Sequence, residues 1–309
     1  MLSFTNNREL KHPIALSFDV EDWFTVRNMR DFISDDQWDE QEQRVDVGMN
    51  FILDALKEKN IKSTFFILGW VADRCPELVK RISDEGHEIA CHGYQHTPVD
   101  LLTPEAFEAD LRKAIKAIEA VTGQVPKGFR APSFSITKKT AWAIPILKNC
   151  GIEYDSSIFT TTHPDYGVQD FPTKVTSTHD LVEVPLVRST LFGAKVPVCG
   201  GGYFRMLPYS FTKAALDQDL KTSPMVMYFH PWEFDPEQPQ MDLPMVKSFR
   251  HYVGLKKNRE KFMSLLNDYS FITMEQLVAN AKAMGPLPEY RFQSLEKTPN
   301  GLLLPQFAN

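Results

Sequence analysis

Ile14-Ala15-Leu16-Ser17-Phe18 is a short β-rich run that ends on an acidic cluster, Asp19, Glu21 and Asp22, and the fold is read outward from it. An amphipathic stretch near 45–59 predicts a helix, and Ser63-Thr64-Phe65-Phe66-Ile67 predicts a second strand. A helix near 76–84 then leads through Glu85-Gly86 to a third strand at His87-Glu88-Ile89-Ala90. The clearest helix signals lie in 104–122: Thr103 as N-cap, Pro104 in the first turn, Phe107, Leu111, Ile115 and Ile118 on one face, and Gly123 as the stop. Further strands are predicted at 127–129, 152–155, 181–184 and 225–229, and helices near 137–149, 209–220, 244–267 and 273–283, with Pro145 kinking or interrupting its helix. The pattern-poor stretch 156–180 reads as an insertion loop. Alternating βα units without a glycine-rich phosphate loop predict an α/β fold, a parallel sheet or a closed TIM-barrel-like (β/α) barrel. In such folds the site residues follow the strand ends, as the polar clusters here do.

A chain of 309 residues, 43% apolar, can bury a substantial core. Its net charge of -6 and lack of a Lys/Arg-rich block argue against nucleic acid or an anionic membrane as main partner. No apolar run approaches the roughly 20 residues of a membrane span, and the first residues lack the pattern of a secretory signal. Cys75, Cys91, Cys150 and Cys199 form no CxxC pair, which points to neither a zinc knuckle nor a disulfide framework. The expected location is cytoplasmic. One domain is expected over 1–285, and the proline-bearing tail 286–309 is expected to pack on the body or meet a partner.

Cys91-His92-Gly93-Tyr94-Gln95-His96 holds two histidines four residues apart, directly after a strand. On a helical turn that spacing sends both imidazoles to one side. With a carboxylate from another strand they form a set that leaves positions open on Zn²⁺, or on Co²⁺, Ni²⁺ or Fe²⁺, for water and substrate. Cys91 beside them reads as a buried small hydrophobe. A hydrolytic metal site also needs a base, a cation beside the base and an acid for the leaving group. Asp19, Arg130 in Arg130-Ala131-Pro132-Ser133-Phe134, and His230 in Phe229-His230-Pro231-Trp232-Glu233 suit those roles. Taken singly, each has a plain reading as an ion pair, a cap or a turn.

Five motifs in order resemble the polysaccharide deacetylases, the NodB-homology domains of carbohydrate esterase family 4. They are Ser17-Phe18-Asp19-Val20-Glu21-Asp22, His92-Gly93-Tyr94-Gln95-His96, Arg130-Ala131-Pro132-Ser133-Phe134, Asp155-Ser156-Ser157 and Phe229-His230, and the resemblance spans about 14–283. Gly200-Gly201-Gly202-Tyr203-Phe204-Arg205 and His230-Pro231-Trp232-Glu233-Phe234-Asp235-Pro236 are similar to a bacterial subgroup from exopolysaccharide and exosortase-linked loci. The resemblance implies an irregular (β/α) barrel and metal-dependent removal of N-acetyl groups from amino sugars of a polysaccharide or its lipid-linked precursor. It makes Asp19 the base held ionised by Arg130, His92 and His96 metal ligands, and His230 the acid, kept cationic by Asp155. The oxyanion of the tetrahedral intermediate would face the cation and a backbone N–H near Ser133. Val20-Glu21-Asp22 replaces the usual adjacent Asp-Asp pair: the motif slightly favours Asp22 as the third ligand, whereas strand alternation favours Glu21. Gly93 stands where the family commonly has Ser or Thr, removing a hydroxyl that would brace the loop.

Trp23, Tyr203 and Trp232 offer aromatic faces for a sugar groove, with core packing as the plain alternative. An N-acetylated oligo- or polysaccharide is the expected partner, and a homo-oligomer is left open. Two other functions fit the same chain: a different amide hydrolase of the superfamily, such as a sugar deformylase or an allantoinase-like enzyme, and a non-catalytic carbohydrate-binding protein.

Overall fold

The computed structural model describes residues 12–293 except 164, 165 and 192, together with 295–297 and 303–305. Its elements begin with β1 (Ile14–Val20), α1 (Val45–Glu58), β2 (Thr64–Ile67), α2 (Gly69–Arg74), α3 (Pro76–Asp84) and β3 (Glu88–Cys91). There follow α4 (Pro104–Thr122), β4 (Gly128–Phe129), α5 (Ala143–Asn149), β5 (Tyr154–Asp155), β6 (Thr176–Thr178) and β7 (Leu181–Glu183). A hairpin, β8 (Ser189–Leu191) and β9 (Ala194–Val196), precedes α6 (Gly201–Met206), α7 (Tyr209–Asp219) and β10 (Met225–Phe229). The described body ends with α8 (Met245–Tyr252), α9 (Leu255–Asp268), β11 (Phe271–Ile272) and α10 (Met274–Ala283). Among the described residues no helix is long and apolar enough to cross a membrane.

One curled sheet runs β10-β1-β2-β3-β4-β5-β7-β6, parallel except for β6. Every residue of β1 and β2 is buried, which is why these strands read as near-continuous apolar runs. Alternation divides their side chains between two cores. Leu16, Phe18 and Phe65 pack outward under the helices, whereas Ala15, Phe66 and Ala90 line the concave face together with Val226, Met274 and Leu277. Asp19 shares the parity of Ala15 and therefore belongs to the concave side. α10 closes the lower end of that interior, where Met274 N donates to Thr64 Oγ1 at 2.8 Å.

The curl has the character expected of an irregular barrel, but hydrogen-bonded pairing among the described residues does not close it. The reason lies at the β6 edge. Ser177 N donates to Pro288 O at 2.8 Å and Ser177 O accepts from Tyr290 N at 2.9 Å, so the segment after α10 occupies the position of a closing strand. Tyr290 and Phe292 pack there on Phe171, at ring distances of 4.7 and 6.2 Å. Residues 294, 298–302 and 306–309 of the tail lie outside the described residues.

α4 follows its sequence signals: Thr103 Oγ1 accepts from Ala106 N at 3.2 Å, and Gly123 turns left-handed at φ 70°. Three expectations change. Gly254, at φ 75°, splits the helix predicted over 244–267 into α8 and α9. The helix predicted over 137–149 starts only at Ala143, so Pro145 sits in its first turn, where its missing N–H costs nothing. The stretch 156–180 contains β6, which is too short to show a period.

α1 lies against the 3₁₀ turn Pro231–Phe234, and Gly48 makes that approach possible: a Cβ there would stand 1.9 Å from Pro231 O. Gly48→Ala is expected to cost about 1–3 kcal/mol by overpacking. A denaturant midpoint equal to that of the wild type would refute this close contact.

Candidate metal and active site

Arg130, wholly buried after β4, organises the upper end of the concave face. Its Nη1 donates to Asp19 Oδ1 at 2.6 Å and to Ser17 Oγ at 3.0 Å, and its Nε donates to Ser156 O at 3.1 Å. Phe66 lies under the guanidinium, 4.1 Å from ring centre to Cζ. Asp19 thus has one oxygen committed to Arg130, while Oδ2 lies 3.8 Å from His230 Nε2.

Glu21, two residues further along β1's direction, stands with His92 and His96, and their ligating atoms all lie within 4.8 Å of one another. All three residues are at most 6% exposed. His92 Nδ1 is 2.7 Å from Arg130 O, so that nitrogen carries the proton and Nε2 is the free ligand atom. Burial, then the neighbouring His96, hold the His92 ring well below its ordinary value, in the neutral form a metal requires. Burial alone would raise the Glu21 carboxyl, but His96, His230 and His92 outweigh it and lower it. Glu21 Oε2 is buried with no hydrogen-bond donor although His96 Nε2 lies 2.9 Å away. A buried carboxylate oxygen grouped within 4.8 Å of two imidazole nitrogens fits a shared divalent cation.

The site departs from the sequence reading at several positions. His92 and His96 do not lie on a helical turn: Gly93 at φ 79° and His96 at φ 51° bend the loop left-handed, and the bend makes the rings converge. Asp22, the ligand slightly favoured by the motif, faces the other way. Its Oδ1 accepts from Trp23 N at 2.7 Å, and its Oδ2 from Arg44 N and Val45 N at 2.7 and 3.0 Å, which caps α1. The parity of β1 continues far enough to send Glu21 to the side of Asp19 instead.

Asp155 does not reach His230. Its carboxyl accepts the Ser157 hydroxyl and pairs with Glu183, and burial raises it to about 6. Burial, then the charge of Asp155, push Glu183 well up. His230 Nδ1 is instead 3.2 Å from Glu233 Oε2. Burial opposes protonation of His230, but Glu21, Glu233 and Asp19 raise the ring to about 9.

Trp23 is core, 2% exposed, edge-on to Phe24 and donating to Glu42 O at 3.0 Å. Trp232 is 7% exposed and donates to Glu21 Oε1 at 3.3 Å, so it braces the ligand set. Tyr203 stands out from α6 at 46% exposed and, among the described residues, joins none of the site's hydrogen bonds or ring contacts. Ser133 holds a left-handed backbone, φ 58°, directly after the Arg130 turn. Beside the histidine loop, Arg30, Ser34, Asp35, Asp36 and Gln95 line a polar cleft of about 460 Å³.

Asp110 is a functional residue the sequence reading missed. From α4 its Oδ2 accepts Tyr94 N at 2.8 Å, and its carboxyl also takes the backbone N–H of Gln95. A carboxylate from a helix thereby does the bracing that a hydroxyl at position 93 would do. The signal was an acid among alternating charges on a helix, indistinguishable from its solvated neighbours.

Residues 35–154 match the family model described as polysaccharide deacetylase, and residues 156–279 match a domain of unknown function (DUF3473). The peptidoglycan deacetylase-like protein FGM2 of Gibberella zeae is 36% identical over 155 residues, 49% of this chain and 44% of that protein. The peptidoglycan-N-acetylglucosamine deacetylase of Bacillus cereus is 37% identical over 93 residues, 30% of this chain and 34% of that protein. The chain therefore spans less than half the length of these relatives. A crystal structure of a candidate polysaccharide deacetylase from Mycobacterium smegmatis shares the fold, with a TM-score of 0.60 at 20% identity over 90% of this chain and 92% of that one.

Glu21→Gln is expected to lose bound zinc, measured by metal analysis after dialysis, while Asp22→Asn retains it and melts at a lower temperature. The reverse pattern would restore Asp22 as the ligand. Asp110→Ala is expected to weaken zinc binding by about 10–100-fold; calorimetric titration giving the wild-type affinity would exclude its bracing role.

Proposed function

We propose that the chain is a polysaccharide deacetylase of the NodB-homology, carbohydrate esterase family 4 type, and that it removes N-acetyl groups from amino sugars of a bacterial polysaccharide. The observation that carries this reading is the convergence of Asp19 and Glu21 on His230 Nε2, with Asp19 Oδ2 at 3.8 Å and Glu21 Oε1 at 3.4 Å. Acid and base stand close enough to serve one scissile amide beside one ligand set.

Glu21, His92 and His96 would hold a divalent cation, for which we propose zinc, and it would supply a Lewis acid for the amide carbonyl. Asp19, anchored through Oδ1 by Arg130, presents Oδ2 to take a proton from the attacking water. His230, held at Nδ1 by Glu233, would give a proton from Nε2 to the departing amine. A backbone N–H near Ser133 would face the oxyanion, and the cleft lined by Arg30, Ser34, Asp35, Asp36 and Gln95 would take the sugar units. We read residues 1–285 as one domain and 286–309 as an extension, with the reaction in the cytoplasm on a polymer precursor.

The test is acetate release by zinc-loaded protein from N-acetylglucosamine and N-acetylgalactosamine oligomers, peptidoglycan fragments and extracted exopolysaccharide. Acetate is expected from the wild type, and Asp19→Asn is expected to release almost none while retaining its zinc. Formate instead of acetate would make it a deformylase, and glycan binding without any release would make it a binding protein.

A further inference from the structure

We propose that Glu233 and Arg205 are a positioning pair that fixes the imidazole of His230, and that the Gly200–Arg205 segment serves to bring Arg205 beneath it. The proposal rests on the reading of His230 as the acid. Glu233 Oε2 accepts both the backbone N–H of His230, at 3.0 Å, and its ring Nδ1, at 3.2 Å, so one oxygen fixes the residue at two points. That leaves Nε2 facing Asp19 and Glu21. Glu233 Oε1 accepts Arg205 Nε at 2.8 Å, and both side chains are buried, so neither charge is stable there without the other.

Arg205 is itself held. Nη1 donates to His251 O and Val253 O at 2.7 and 2.8 Å, and Nη2 to Arg250 O at 3.1 Å. These carbonyls end α8, where a cation is favoured by the helix dipole. One guanidinium thus caps a helix and balances Glu233. The faces are fixed as well: Trp232 stacks on His230 at 5.5 Å and 21°, and on His251 at 4.5 Å and 6°.

The glycines explain how Arg205 arrives. Tyr228 N donates to Cys199 O at 2.9 Å, so the chain at 199–200 runs against β10 two residues before His230. Gly200 has φ 134°, and a Cβ there would lie 1.8 Å from Tyr228 O. Only glycine permits that approach, and α6 starts immediately after it. Both His230 and its supports fall in the segment 156–279, which matches a domain of unknown function; the structure assigns that segment the holding of the acid.

The experiment has two arms on the full chain. Long-range proton–nitrogen NMR of the metal-free protein, with His230 assigned through His230→Gln, reads the protonation of each ring nitrogen. The wild type is expected to show a hydrogen-bonded Nδ1–H on His230. Glu233→Gln is expected to move that resonance and Asp155→Asn to leave it. The second arm measures kcat and KM on an N-acetylglucosamine pentamer. Glu233→Gln is expected to lower kcat about 10²-fold with KM within about threefold, as misplacement of a reacting group does. Arg205→Lys is expected to keep more of kcat than Arg205→Gln. An unmoved His230 signal in Glu233→Gln, a signal moved by Asp155→Asn, or wild-type kcat in Glu233→Gln would overturn the pair. If the wild type cleaves no substrate, the deacetylase reading fails, and the NMR arm still decides whether Glu233 holds His230.

Discussion

A guanidinium with no access to water must find its partners inside the protein, and in this chain that requirement orders the top of the barrel. Arg130 takes Ser17 and Asp19 from β1, the hydroxyl and carbonyl of Ser156 after β5, and the face of Phe66 from β2. Its backbone N–H donates to Cys91 O at the end of β3, and its carbonyl takes His92 Nδ1. One residue therefore sets the orientation of the candidate base and the tautomer of one candidate ligand. Removing it would leave Asp19 as a buried charge without its partner, a loss of about 3–5 kcal/mol. Stability and chemistry share this group, so substitutions of Arg130 report on both at once.

The third metal-ligand position illustrates how two local rules compete. A motif read by its last acid points to Asp22, whereas a strand read by its parity points to Glu21. The strand rule prevails because β1 stays extended to Val20, and its alternation puts Ser17, Asp19 and Glu21 on one side. Asp22 then falls where the chain turns, and three backbone N–H groups, two of them at the start of α1, take its oxygens. The same acidic cluster thus divides into a candidate base, a candidate ligand and a cap.

Much of the barrel was legible because its strands and helices carry strong periods: β1, β2 and β3 are apolar runs between well-signalled helices, and α4 has both of its caps written out. What escaped has a physical cause in each case. β8 and β9 have three residues each, too few to display alternation. Gly254 breaks a pattern that is otherwise continuous across α8 and α9. The histidine pair keeps its spacing but reaches one point through a left-handed bend, which no count of residues foretells. Glu233 and Asp110 were missed as site residues because their importance lies in what they accept, and a sequence does not display acceptors. Arg205 and Gly200 stood out in the sequence as a motif, but their contacts to Glu233 and to β10 appear only in three dimensions.

The meeting of Asp19 and His230, the candidate base and acid, follows from sheet register. β10 comes 211 residues after β1, yet the two pair side by side, with Ser17 opposite Tyr228 and Phe18 opposite Phe229. The next residues on the two strands are Asp19 and His230. A one-residue slip would turn one of them to the outer face, so the register that buries Phe18 against Phe229, at 6.2 Å between rings, also aligns the candidate base and acid. Packing alone would make such a slip costly, because Phe229 also meets Phe204, Phe234 and Phe262 in the outer core. The segment matched by a domain of unknown function therefore supplies the strand that flanks β1 as well as His230, the candidate acid, and the hydrophobic core beneath it fixes where that residue stands.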